Sequence, residues 1–443
     1  MSTPSCVTKW GMSGSLKWLL LSDEWAPWAI ALYVALWPLP SLANWVLSAC
    51  ACLMIVQLTI LPSVGAPKLL DKSAWAISIV LFLGYWLPEV ASIQPPHAAN
   101  IAIKVLADVR YLPFMWVVAC AVNQPRRRQR TLTLVAIIVA IWTIDGLLQW
   151  QAPISPLFSA LNHAVKSMIG HDLCPADRLF KADRLSGLWG PCHLKFGQVL
   201  VSLSPFLLMV AASYRRWLGV AAAFAVFVVL VLAGSRASWL SYALVISILV
   251  WRRLRPWQFV GATLVIAMLL FCVFVTSWQV RERFARTALF MSGNEISYDE
   301  ALSGRLRIWK VAACIIETHP FRGVGVRQFR FVYPQCDSAS AGDAIWGSGP
   351  ALHPHQILLE ILTETGIVGL FCWLAAVAMA WQAWRCSPHS ARQAAYAPMI
   401  ALVATLFPIN THLAVYSSFW GGVTIFLAGL YVGMLIDRPS LTG

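Results

Sequence analysis

Twelve apolar runs, at about 25–39, 43–62, 74–91, 106–122, 131–150, 194–212, 217–234, 238–251, 257–278, 357–384, 394–412 and 416–436, divide a chain of 443 residues. Each is near the roughly 20 residues that carry an α-helix across a bilayer; the eighth is short and the tenth is long enough to project beyond it. The pattern predicts an all-α polytopic membrane protein of about twelve transmembrane helices. A residue content that is 59% hydrophobic and only 12% charged excludes an ordinary soluble protein. Many of the 23 tryptophans fall at the ends of apolar runs, which suits aromatic belts at the lipid headgroups. The net charge of +14 sits in short basic clusters between the runs, a topogenic pattern that argues against nucleic acid. Cys50, Cys52, Cys120, Cys272 and Cys372 lie inside apolar runs as small hydrophobes, and no paired Cys-x-x-Cys array suggests a metal.

Arg126, Arg127, Arg128 and Arg130, then Arg215 and Arg216, then Arg252, Arg253 and Arg255, then Arg385 and Arg392 occupy alternate connections. The positive-inside rule then puts both termini in the cytoplasm and two long connections, 151–193 and about 279–354, outside. The chain divides into residues 1–278 with nine spans, a partly helical outer loop at 279–354 between spans nine and ten, and residues 355–443 with three spans and a short tail. The larger loop holds nine Lys or Arg and seven Asp or Glu. Its basic residues read as anion binding or as a balanced solvated surface.

Four features carry candidate chemistry. Ser303-Gly304-Arg305-Leu306-Arg307-Ile308-Trp309-Lys310 opens an amphipathic helix with Leu306, Trp309, Ala313 and Ile316 on its apolar face, ended by His319-Pro320 and followed by a flexible Gly323-Val324-Gly325. Arg305 in its first turn stands where backbone N–H groups favour a negative ligand, or it pairs with Asp299 or Glu300. Arg236, in the outer turn Gly234-Ser235-Arg236-Ala237-Ser238, faces a polar cavity or an anionic headgroup, or snorkels to ordinary lipid phosphate. His193 and Lys195 sit at the outer mouth of the sixth span, and Cys174 and Cys192 in the same loop could pair in an oxidising compartment, with Cys314 and Cys336 as competing partners. Last comes His355, with Pro354 at the first position of the tenth span, sharing one helical face with Leu359, Leu362, Gly366 and Gly369. The two glycines would admit a second helix or a lipid chain. A helix N-terminus disfavours imidazolium and leaves His355 available as a base, or the ring simply caps loop backbone.

As a set these residues resemble the O-antigen ligase family within the O-antigen ligase and polymerase superfamily. His355 and Gln356, nine residues, Gly366, two residues and Gly369 meet the family's histidine line. Ser235-Arg236, Gly304-Arg305 to Trp309, and His319-Pro320 to Gly323-Val324-Gly325 support it. The resemblance implies glycosyl transfer at the periplasmic face of the bacterial inner membrane, from an O-antigen polymer on undecaprenyl pyrophosphate to the lipid A core, by a monomer among membrane lipids. It implies His355 as base, with Arg236 and Arg305, and more weakly Arg307, Lys195 and His193, on the pyrophosphate. Gln356, Gly366 and Gly369 are support, and no metal or cofactor is called for. An O-antigen polymerase, a protein O-oligosaccharyltransferase and a membrane transporter are the alternatives.

Overall fold

The computed structural model describes residues 23–60, 70–174, 184–193, 195–251, 304–337, 349–408 and 414–435, with isolated positions at 275, 281, 302 and 410. Every regular element among them is helical. The first half contains α1 (Ala26–Ala35), α2 (Pro40–Ile60), α3 (Lys72–Ala91), α4 (Ala98–Asp108), α5 (Tyr111–Cys120), α6 (Pro125–Gln149), α7 (Pro156–Ile169) and α8 (Phe196–Tyr214). The second contains α9 (Arg216–Ala233), α10 (Arg236–Val250), α11 (Arg305–Thr318), α12 (Phe329–Cys336), α13 (Ile357–Cys386), α14 (His389–Ala394), α15 (Tyr396–Thr405) and α16 (Ser418–Leu435).

Seven of these, α2, α3, α6, α8, α9, α13 and α16, are long and apolar enough to cross a membrane, and α1, α10 and α15 are shorter apolar helices. The run at 106–122 is divided between the end of α4 and α5, because the chain turns at Val109 and Arg110. The run at 257–278 lies almost wholly outside the described residues.

Two spans form the centre. In α8 and α16, 72% and 89% of the most apolar stretch is buried, against 44% or less in the other five. Around α16, Trp37 stacks its edge on Phe419 and Phe426, and Trp142 meets Trp189 at 4.6 Å. Trp37, Trp142 and Trp420 are fully buried, so the tryptophans are shared between the core and the surface, where Trp28, Trp45 and Trp251 are exposed. The arginines expected to mark the inner side are partly structural as well. Arg127 is buried against Asp23 and Asn123, and Arg130 reaches Glu24 at 3.2 Å.

Within the expected large loop, α11 and α12 pack together and are joined by the Cys314–Cys336 disulfide. The face of α11 that packs is Ile308, Val311, Ala312 and Ile315, and not the expected Leu306, Trp309, Ala313 and Ile316; three of its four residues lie one position earlier than expected ones. The helix is apolar over more than one face, so periodicity alone chose the wrong stripe; Ala313 is exposed.

After α11 the chain does not stay flexible at Gly323-Val324-Gly325, because it docks into a break in α13. Gly366 has φ 65° and ψ −161°, a region open essentially to glycine alone. A continuous helix would pair the N–H groups of Ile367 and Val368 with the carbonyls of Thr363 and Glu364. Here Ile367 and Val368 donate to the carbonyls of Pro320 and Phe321 at 2.9 and 3.3 Å. The carbonyls of Thr363 and Glu364 accept instead from Val324 and Gly325 at 2.8 and 2.9 Å. All four exposed backbone groups are thereby satisfied, as a span in lipid requires. A Cβ on Gly366 would overlap the backbone of Phe321 and Arg322, and one on Gly323 the backbone of Glu364 and Thr365. Gly366 of the histidine line thus admits a backbone segment of this chain, in place of the second helix or lipid chain expected, while Gly369 faces the side chain of Thr365 in its own helix.

Gly366→Ala combines a forbidden backbone conformation, costing about 1–3 kcal/mol, with that overlap. It should lower the unfolding midpoint in detergent by several degrees. An unchanged midpoint would mean that the break is not held by glycine.

Candidate active site

His355 lies outside its helix, against expectation. The N-cap of α13 is Gln356, whose Oε1 accepts from the N–H of Leu359 at 2.6 Å while its Nε2 donates to the carbonyl of Pro408 at 3.1 Å. Pro354 therefore precedes the helix by three residues, and His355 takes a left-handed backbone at φ 54°. A non-glycine residue held there costs roughly 1–3 kcal/mol, and such strain is found where a side chain must be aimed. The half-buried imidazole sits 4.0 Å from the ring of His353.

What brings the cations to this histidine is α11. Trp309 donates its indole N–H to the carbonyl of Pro354 at 3.2 Å, and Arg305 lies one turn earlier on the same helix. Arg305 follows Gly304, which caps α11 in left-handed conformation at φ 78°. Arg236 likewise opens α10 behind Ser235, whose hydroxyl accepts from the N–H of Ser238. Burial first, and then the charges of Arg236 and Arg184, push the Arg305 guanidinium down to about 10. Burial first, and then the charge of Arg305, push the His355 imidazole down to about 4. Arg236 and Arg184 thus bear on Arg305, and Arg305 on His355. The possible partners of Arg305 considered from the sequence, Asp299 and Glu300, lie outside the described residues.

Arg184 was missed by sequence reasoning, although it stands two residues before the Ser186-Gly187-Leu188-Trp189-Gly190-Pro191 stretch at the sixth span. Its loop is fixed by Gln149 at the end of α6, whose Oε1 accepts from the N–H groups of Ser186 and Gly187 at 3.1 and 2.7 Å. The Cys174–Cys192 disulfide closes the same loop.

The weaker candidates have other partners. Arg307 makes a two-pronged ion pair with Asp337, Nε to Oδ1 at 3.0 Å and Nη2 to Oδ2 at 2.8 Å. That pair ties α11 to the end of α12, so Arg307 serves the fold of the loop. Lys195 places its ammonium over the ring of Phe419 at 4.7 Å and feels the charge of Arg327. His193, in turn, feels Lys195. Those two belong to a neighbouring basic group with Arg327, whose backbone N–H is held by the carboxylate of Glu364 at 2.7 Å.

Cations are unfavourable at helix N-termini, where the macrodipole is already positive. Two arginines opening two helices, with a third beside them, make sense as a receptor for a multiply charged anion, which guanidinium forks bind through paired oxygens. A neutral imidazole at the edge of such a receptor can accept a proton.

Residues 199–374 match the family model for O-antigen ligase, a stretch that contains Arg236, Arg305 and His355 and ends five residues after Gly369. No curated protein matches the chain.

Because the unfolded imidazole takes its proton near 6.5 and the folded one only near 4, the stability that His355 contributes is present above about pH 6.5 and is lost as pH falls toward 4. Nuclear magnetic resonance titration of the labelled ring should find it neutral at pH 5.5. Arg305→Gln, or added pyrophosphate, should move its pKa upward. An ordinary value that neither treatment alters would contradict this electrostatic picture.

Proposed function

We propose that the chain, whose residues 199–374 match the family model for O-antigen ligase, is a glycosyltransferase that moves O-antigen polysaccharide from undecaprenyl pyrophosphate to the lipid A core. The observation that carries this reading is Arg305, which bears on His355 and itself feels the charges of Arg236 and Arg184. The donor presents a pyrophosphate, and its departure leaves negative charge for the three guanidiniums to stabilise without a metal. The acceptor presents a sugar hydroxyl, and His355 removes its proton. The oxygen attacks the anomeric carbon as the bond to pyrophosphate breaks, which inverts the configuration there. The proton held by His355 then passes to solvent.

The bound anion also helps the base. Arg305 makes protonation of His355 harder, and a pyrophosphate on Arg305 offsets that charge. The imidazole is therefore more basic when the donor is in place. The reading puts the site at the periplasmic face of the inner membrane with both termini in the cytoplasm, and the two disulfides suit an oxidising compartment on the site's side.

In a purified two-lipid assay, His355→Ala should lower transfer by about 10²–10⁴-fold. Arg184→Gln, Arg236→Gln and Arg305→Gln should each lower it by about 10²–10³-fold. Arg307→Gln should act mainly on thermal stability. Near-normal transfer by folded His355→Ala protein would refute the base. In a deletion strain, accumulated lipid-linked polymer and a core without O-chain support ligation, whereas a core bearing one repeat unit would make the enzyme a polymerase.

A further inference from the structure

The helix α7 begins at the end of a span. Its first turn is held by Asp145 of α6, whose carboxylate oxygens lie 2.8 and 2.7 Å from the Ser155 hydroxyl and accept from the N–H of Leu157 at 3.1 Å. The ring of Phe158 packs under Gly190, where a Cβ would overlap it. After Phe158 no residue of α7 is buried. At about 1.5 Å per residue, the apolar part of α6 from Leu132 to Trp150 covers about 27 Å, close to the hydrocarbon thickness of a bilayer. Asp145 and Gln149 therefore stand near one edge of the membrane, and α7 starts there.

The sequence of α7 gives it two sides. At helical spacing Leu157, Leu161, Val165 and Met168 fall on one, and Ser159, Asn162, His163 and Lys166 on the other. The chain covers the polar side. After the left-handed Gly170 it turns back, so that Asp172 accepts from Asn162 at 2.8 Å and from Lys166 at 2.9 Å, while the N–H of Leu173 donates to Asn162 at 2.7 Å. The apolar side stays open, and Met168 and Ile169 at its far end are 75% and 64% exposed. A helix packed on a protein in water does the reverse, burying its apolar stripe and leaving its polar side to solvent.

The neighbouring span shows what covers the open side. Ile137, Ile141, Ile144 and Leu148 form an exposed apolar stripe along α6, the lipid-facing side of a helix long and apolar enough to cross a membrane. Exposed Trp150 ends that stripe, an amphipathic ring of the kind that sits at headgroup level. Leu157, where the open side of α7 begins, is exposed as well. The lipid-facing surface of α6 thus leads into the open side of α7.

We propose that α7 lies flat in the membrane interface at the Gln149 end of α6, with its apolar side among the first acyl carbons of the phospholipids and its polar side toward water. Helices of this kind bury their apolar side about 5–10 Å into the headgroup and acyl boundary. The lipid then supports the loop that carries Arg184. That loop runs from α7 to α8, is closed by the Cys174–Cys192 disulfide and is tied to α7 through Asp172, so the depth of α7 sets the height of Arg184 over the membrane. Nothing in this depends on the transfer reaction.

The test uses the full-length protein in nanodiscs of phosphatidylethanolamine and phosphatidylglycerol, carrying Met168→p-benzoylphenylalanine or, on the polar side, His163→p-benzoylphenylalanine. Illumination should add the mass of a phospholipid to the Met168 variant, and at least fivefold less of it to the His163 variant. Equal or absent lipid adducts overturn the proposal. A cross-link within the chain or to a second copy overturns it too, because another segment or another protomer would then cover the apolar side. In the Met168 probe protein, Leu161→Glu with Ala164→Glu should lower the adduct at least fivefold without moving the thermal midpoint in detergent, since neither side chain is buried. An unchanged adduct, or a lowered midpoint as expected of a side packed on protein, also overturns it.

Discussion

The structure depends on a helix that is broken and repaired by another part of the chain. Gly366 interrupts α13, and the segment from Pro320 to Gly325 takes up the backbone groups that the break exposes. This fixes the C-terminal end of α11 against α13, while Trp309 fixes its earlier turns to Pro354. With both contacts made, Arg305 has little freedom relative to His355. The proposed transfer would need such rigidity, because a leaving-group receptor and a base would have to act on the two sides of one anomeric carbon.

The electrostatics follow from the same frame. Arg305 and Arg236 open α11 and α10, and Arg184 arrives on a loop held by Gln149 and a disulfide. Collecting cations at helix N-termini raises the energy of the empty site and lowers that of an occupied one. Arg307, two residues from Arg305, illustrates the contrast, since its charge is spent on Asp337 and holds the loop together.

Much of this was legible in the sequence. Seven of the apolar runs coincide with helices long enough to cross a membrane, and the spacing of His355, Gln356, Gly366 and Gly369 singled out the start of α13. Residue types did not reveal how the motifs meet, because a backbone exchange between 320–325 and 363–368 leaves no side-chain signature. Helical periodicity drew His355 and the glycines onto one continuous face that Gly366 in fact interrupts. Pro354 looked like a first helical residue, but Gln356 caps the helix and releases His355 into a strained turn. Arg184 escaped notice because its place depends on a loop folding back over α6, a contact distant in sequence. The short α1, α10 and α15, and the turn between α4 and α5, show why hydropathy finds apolar runs more readily than helix lengths.

The central claim is that one site holds the donor's pyrophosphate next to the base. A structure of the protein with a polyprenyl pyrophosphate bound tests it most directly. The account predicts phosphate oxygens within hydrogen-bonding distance of at least two of Arg184, Arg236 and Arg305, with the bridge to the sugar facing His355. A pyrophosphate seated instead on Lys195 and Arg327, with the three arginines empty, would contradict it.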